Sequence, residues 1–239
     1  MSLNKTISLQ DFSLPEVKRQ VRDLKKFAHQ RFWRGEPFAV NGISKRRWSI
    51  RWNKLWEYSR GLAYVPWQKD WKVLDFGGGA TLPVYYLASK GAEVWSFDID
   101  KKLTAEAEAL AKKRNWLLHA TSQNLTQEPW IGAENSLDWV VSFCVLEHLP
   151  RPYQLRVAKL LASYLKAGGY MTLTFDYGLD APVEGAYRTP QEVDELVQTV
   201  GLEFIDGQGF SDTGELFVLD RKYPHAKFTF GSLFLRKRS

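Results

Sequence analysis

The spacing of apolar residues changes character near residue 70. Before that point it is helical. Leu14, Val17, Val21, Leu24, Ala28 and Phe32 fall on one face, which predicts an amphipathic helix within the first 35 residues. Ser13 is its predicted N-cap, with Pro15 in the first turn and Glu16 completing a capping-box arrangement. Gly35 and Pro37 stop the helix, and a loop is predicted through Asn41-Gly42. A second helix is predicted over residues 47–62, where Trp48, Trp52 and Trp56 recur at every fourth position. This aromatic stripe reads first as core that docks the segment on the rest of the chain. Its second reading is a lid with aromatic walls.

From Lys72 onward short apolar runs alternate with helical patterns. Strands are predicted at residues 72–76, 93–97, 116–120, 137–143 and 169–175. Helices are predicted at residues 81–89, 101–114 and 153–165. Thr189-Pro190 opens a further helix that Gly201 closes. Three late strands, near residues 202–206, 216–219 and 227–235, follow without an intervening helix. The alternation predicts an α/β fold with a doubly wound, mainly parallel, seven-stranded Rossmann-like sheet. The late strands predict an antiparallel strand at one edge. Residues 1–66 are then an N-terminal helical extension or lid, and residues 67–239 the main domain.

Composition narrows the setting. With 239 residues, 44% hydrophobic and 25% charged, the chain is ordinary globular material and disorder does not describe it. The single cysteine, Cys144, excludes an internal disulfide framework and suits a reducing compartment. No apolar stretch approaches the roughly 20 residues that span a bilayer. The opening MSLNKTISLQDF lacks the plan of a secretory signal, so a soluble cytoplasmic protein is expected. The net charge of +6 is uneven. Residues 1–60 hold 14 basic against 5 acidic side chains, and residues 61–220 hold 13 against 22. Residues 221–239 add 6 basic and no acidic ones. The basic ends read either as a surface for an anionic substrate or nucleic acid, or as solvated helix faces.

Three stretches carry the chemistry. Val73-Leu74-Asp75-Phe76-Gly77-Gly78-Gly79-Ala80 takes a buried strand into a glycine turn and a helix, which leaves room for a ligand against the main chain. About 20 residues on, Trp95-Ser96-Phe97-Asp98-Ile99-Asp100 ends the next strand on a carboxylate able to accept two hydrogen bonds from a ribose diol. Asp98 is the candidate for that role, with helix capping as its alternative, and Asp100 is a candidate N-cap. A nicotinamide enzyme would carry a third glycine of G-x-G-x-x-G at Leu82, so that fingerprint is incomplete. The third stretch is Leu137 to Pro150, which closes on Phe143-Cys144-Val145-Leu146-Glu147-His148-Leu149-Pro150.

In this order and spacing the three stretches resemble the class I S-adenosylmethionine-dependent methyltransferases, in particular the small-molecule, type 11-like group with an E-H-L/V segment after the fourth strand. The resemblance covers about residues 72–176. It implies S-adenosylmethionine as cofactor, with Asp75, Gly77, Gly78 and Gly79 at its methionine end and Asp98 on the ribose hydroxyls. Ile99 would pack on adenine. Asn124, or alternatively Gln123, would meet the adenine amine, since the usual acidic residue is lacking there. Phe143, Cys144 and Val145 would pass under the methionine portion. In similar enzymes the region of Tyr58 and Arg60 closes over the cofactor, and an Arg there can pair with its carboxylate. Phe76 replaces a more common aliphatic residue.

Methyl transfer from a sulfonium needs alignment and dryness more than acid–base chemistry. If a base is used, His148 is the candidate and Glu147 the alternative, against a purely structural turn before Pro150. Asp176 and Tyr177 end the fifth strand and are candidate acceptor contacts, as are His148 and Trp52. Cys144 reads as apolar filler before nucleophile. Asp176 has few obvious companions, so no metal is expected. The fourth strand lacks an N-P-P-Y-type ending, which tilts the acceptor toward oxygen or carbon of a small molecule: a sugar, polyketide, quinone or glycan precursor. RNA is the other acceptor class, through the basic, aromatic N-terminal region. A nicotinamide oxidoreductase and a non-catalytic relative that binds a partner through its basic ends are the readings from other classes.

Overall fold

The computed structural model describes residues 2–239. The N-terminal third holds β1 (Lys5–Thr6), a 3-10 turn (Leu9–Ser13), α1 (Pro15–Trp33), β2 (Phe38–Val40), β3 (Ile43–Lys45) and α2 (Trp52–Ala63). The middle continues with β4 (Lys72–Phe76), α3 (Leu82–Ser89), β5 (Glu93–Asp98), α4 (Lys101–Arg114) and β6 (Leu118–Ser122). The remainder holds β7 (Leu137–Phe143), α5 (Arg151–Tyr164), β8 (Leu165–Tyr177), α6 (Pro190–Val200), β9 (Glu203–Phe204) and β10 (Thr229–Arg236).

The main sheet runs β1-β10-β8-β7-β4-β5-β6, with β9 also paired to β10. The strands from β8 to β6 are parallel, and β10 lies antiparallel to β8 from Thr229↔Tyr177 to Arg236↔Tyr170. Antiparallel pairing is thus confined to one edge, as the late apolar runs predict. The outer side of β10 is shared end to end by two short strands. β1 pairs at Lys5↔Ser232 and Thr6↔Gly231, and β9 at Leu235↔Phe204 and Arg236↔Glu203. The run near 216–219 is no strand and contributes one bridge, Phe217↔Phe228. Strand order reverses between β4 and β7, which opens a cleft at their carboxyl ends.

Alternation along each buried strand builds two apolar layers. Val73, Val94, Trp139, Val141 and Phe234 face Leu24, Phe27, Leu55, Leu62, Val84 and Leu110 of the first four helices. Leu74, Val140, Leu173, Leu233 and Leu235 face Val157, Leu161, Val193 and Leu196 of α5 and α6. Residues 2–66 therefore share one core with the strands of residues 67–239, and β1 joins the same sheet.

Several local expectations shift. The N-cap of α1 is Leu14, not Ser13, because Ser13 ends the preceding 3-10 turn. The capping function moves to that turn, where the Ser8 N–H donates to Asp11 Oδ2 at 3.4 Å. The segment through Asn41-Gly42 is a β-hairpin, both turn residues having positive φ (50° and 69°) as a two-residue primed turn requires. The tryptophan stripe does not form one face. Trp48 precedes α2 and is exposed, Trp52 is 41% exposed, and only Trp56 is core.

Asp11 ties these parts together. It is 1% exposed and meets Lys5 Nζ at 2.8 Å and Arg60 at 3.4 Å, while Trp56 Nε1 donates to it at 2.9 Å. Removing one partner of a buried charge set leaves the others uncompensated. Asp11→Ala is expected to cost about 3–5 kcal/mol in urea unfolding. A loss below about 1 kcal/mol would show that water or another anion takes its place.

Candidate active site

The carboxyl ends of β4, β5 and β7, roofed by α2 and by loops 41–42 and 219–228, enclose a cavity of about 590 Å³. At the end beside β4 the glycine turn is held tightly. Gly77 has φ +78°, and a Cβ there would lie 2.5 Å from Val145 Cγ1. Gly79 has φ +45°, and a Cβ would stand 3.0 Å from Asp98 Oδ2. Gly77 lines the cavity. Gly78, Gly79 and Asp75 stand behind it and shape the turn. Asp75 is fully buried, and its Oδ2 accepts from the Gly78 N–H at 2.9 Å and from Ser96 Oγ at 2.7 Å. Burial pushes its pKa up to about 7, against the pull of those two hydrogen bonds and with a further push from Asp98. Its Oδ1 is buried without a partner. A turn stripped of side chains at Gly77 leaves the main chain open to a ligand, while Asp75 braces the turn from behind.

Asp98 and Ile99 stand at the mouth, Ile99 74% exposed and open to a planar group. Asp98 Oδ1 accepts from the Asp100 N–H at 2.8 Å, and Asp100 itself caps α4. Burial raises the Asp98 pKa. Gln123 and Asn124 both line the same end. Asn124 Oδ1 accepts from the Thr126 N–H at 3.0 Å and from Thr126 Oγ1 at 2.6 Å. Gln123 uses its amide N–H on the Glu128 carbonyl at 2.8 Å, so the oxygen of Gln123 is the better placed acceptor. Phe143, Cys144 and Val145 line the floor, and Tyr58 meets Phe143 edge to face at 5.7 Å. Cys144 takes φ +52°, held there because its N–H donates to Thr174 O and Thr174 Oγ1 at 3.1 and 3.0 Å.

The far end is charged and dry. Lys54, Glu147, His148 and Asp176 line it. Lys54 Nζ meets Glu57 Oε2 at 2.7 Å, and Glu57 Oε1 accepts from Thr174 Oγ1 at 2.8 Å. Burial works against the Lys54 charge, yet the anionic groups around it raise its pKa overall. Burial raises Glu147, and neighbouring Asp176 adds to this. Burial also pushes Asp176 up to about 7, with Lys54 pulling the other way. His148 is lowered by burial and by Lys54. Asp176 does have companions: Cys144, Glu147 and Asp176 place donor atoms within 4.8 Å of one another. The α2 partners Lys54 and Glu57 were missed from sequence, because a polar pair on a helix ordinarily reads as solvent-facing.

Three expected contacts are not made. Arg60 does not reach the cavity. Its guanidinium is 1% exposed and is held by Asp11, Ser232 Oγ at 3.0 Å and the Leu3 carbonyl. Trp52 lies outside the lining and meets Phe217 at 5.1 Å. Tyr177 points away and meets Phe210 at 5.4 Å. Arg60→Ala is expected to destabilise the fold by about 3 kcal/mol. By titration calorimetry it should leave S-adenosylhomocysteine affinity within about threefold, less than 1 kcal/mol. A tenfold loss of affinity in a folded variant would return Arg60 to the cofactor.

Residues 73–169 match a family model described as a methyltransferase domain. A tRNA U34 carboxymethyltransferase of Hydrogenovibrio crunogenus is 28% identical over 69% of this chain, which spans only 48% of that relative. Among solved structures, the [4+2]-cyclase SpnF aligns with TM-score 0.62 and 14% identity, covering 92% of this chain and 94% of that one. The Burkholderia thailandensis 1,6-didemethyltoxoflavin-N1-methyltransferase, solved with its substrate and S-adenosylhomocysteine, aligns with TM-score 0.54 and 16% identity over 72% of each chain. These two likenesses concern the fold. The family match falls on the segment that builds the glycine turn, the Asp98 strand end and the Glu147–His148 corner, and it marks residues 73–169 as a methyltransferase domain.

Proposed function

We propose that this enzyme methylates an oxygen atom of a small molecule, of the size of a sugar, polyketide, quinone or glycan precursor. The observation that carries the reading is one continuous cavity of about 590 Å³, which runs from Gly77 and Asp98 to Glu147 and Asp176. That volume lies within the usual range for small-ligand sites. S-adenosylmethionine, when bound, supplies an activated methyl group. In this reading Asp98 accepts from the ribose hydroxyls, Ile99 covers the adenine, and Gln123 rather than Asn124 meets its amine. Tyr58 and Phe143 exclude water from the reacting centre. No helix among the described residues is long and apolar enough to cross a membrane. A cytoplasmic site of action is part of the proposal.

RNA is the second reading. It is favoured by the tRNA-modifying relative and by the exposed basic face of α1, which carries Lys18, Arg19, Arg22, Lys25 and Lys26. No residue of α1 lines the cavity, however, so this face would hold an RNA away from the reacting end. Incubating the enzyme with methyl-labelled S-adenosylmethionine and a cell extract separates the two readings. Label is expected in the small-molecule fraction. Label in RNA alone would reverse the assignment.

Asp98→Ala is expected to weaken S-adenosylhomocysteine binding by roughly tenfold or more, since it removes a charged acceptor from the ribose. An unchanged calorimetric affinity would sink the ribose role. In the unaltered chain, ligand at about 100 times its dissociation constant should add roughly 2.7 kcal/mol of stability.

A further inference from the structure

Glu147 and Asp176 are two buried acids on one cavity wall, with donor atoms within 4.8 Å of one another, and no cation belongs to them alone. Glu147 is 1% exposed and Asp176 9%. The Asp176 N–H donates to Glu147 Oε1 at 3.3 Å, which ties the end of β8 to the corner after β7. Glu147 Oε2 is buried without a partner. The ammonium of Lys54 is matched by Glu57 at 2.7 Å. Two carboxylates this close in a low-dielectric space do not both stay ionised.

We propose that Glu147 and Asp176 share one proton and together accept the hydroxyl proton of a phenolic or enolic acceptor, with Lys54 donating to the oxygen as its charge develops. This rests on the oxygen-acceptor reading above. The acceptor O–H bond breaks, and its proton passes to the ionised member of the pair. The oxygen lone pair forms the bond to the methyl carbon, and the methyl–sulfur bond breaks with its electrons staying on sulfur. The dyad then returns its second proton to solvent as product leaves. The pair titrates as a unit, with burial raising both members and Asp176 raising Glu147 further. The reactive form therefore accumulates as pH rises through about 7.

The groups around the pair are accounted for. Lys54, Glu57 and Tyr58 face it from α2, and Cys144 and His148 from its own corner. Asp220 and Lys222 line the cavity opposite, and Tyr187 lies behind Glu147 beneath the Arg151 guanidinium, 4.0 Å from its ring. Lys54 lines the same cavity with its ammonium on Glu57, and its positive charge opposes ionisation-linked repulsion in both acids.

The test is infrared difference titration of the full chain with S-adenosylhomocysteine bound, in Glu147→Gln, Asp176→Asn and the unaltered protein. Asp75→Asn serves to subtract the other carboxyl that titrates near 7. A protonated carboxyl band that disappears near pH 7 is expected. It should be lost or moved by more than about one pH unit in each dyad variant, cofactor affinity staying within about threefold. A second arm reads S-adenosylhomocysteine release with catechol and with benzylamine as probes, with and without EDTA. Release with catechol should rise through about pH 7 and fall roughly 100-fold or more in each dyad variant. A band unaffected by both variants overturns the dyad, as does a pH limb that vanishes only in His148→Ala. Loss of release in EDTA restored by magnesium makes the same residues a cation site and also overturns it. An intact titration with release from benzylamine alone overturns the hydroxyl acceptor while leaving the shared proton standing.

Discussion

Arg60, Asp11 and Lys5 meet where water does not reach, and much of the molecule is arranged around that meeting. Arg60 comes from α2, Lys5 from β1 and Asp11 from the turn between β1 and α1. Charges buried this way are tolerated only when each is matched and hydrogen-bonded. The match fixes α2 against β10, through Ser232, and holds β1 at the outer side of β10. An N-terminal segment that could have been a loose appendage is thereby built into the sheet edge.

The same helix serves the site one and two turns earlier. Lys54 and Glu57 form an i,i+3 pair on α2, Lys54 lines the cavity, and Tyr58 packs on Phe143. Every residue from Asn53 to Leu62 is buried. A helix that is polar in composition has been turned indoors, with Arg60 bound to Asp11 and Ser232 in the core and Lys54 turned to the cavity. Sequence proximity of Tyr58 and Arg60 therefore misleads about a shared role.

The opposite end of the cavity rests on backbone geometry. The positive φ of Gly77 and Gly79 lets the chain turn with no side chain in the way, and Asp75 holds that turn from behind. Cys144 adopts a positive φ without being glycine. Its amide is held by Thr174, which also donates to Glu57, so floor and roof of the cavity are joined through one hydroxyl. Burial acts on Asp75 and Asp176 alike, pushing each toward neutrality, yet only Asp176 faces the cavity.

The alternation of apolar strands with helices from Lys72 onward was readable because buried parallel strands and amphipathic helices leave strong local patterns. So were the glycine turn, Asp98 and the Glu147–His148 corner, since each sits at a fixed place relative to a strand end. β1 was not readable, being two residues with no period to detect, while the strand expected near 202–206 is realised only as the two residues of β9. The hairpin at Asn41-Gly42 carried its signal in the dipeptide itself, which the loop reading passed over. Only the tertiary structure decided the fates of Arg60, Trp52 and Tyr177, because a side chain's partners depend on distant segments. It alone brought Glu147 to Asp176, 29 residues away in sequence, and set Lys54 opposite them. The sequence determined the fold class and the positions of the glycine turn and Asp98 at their strand ends from local pattern. The chemistry offered to the acceptor depends on how separate strand ends and one buried helix converge, and no local pattern records that.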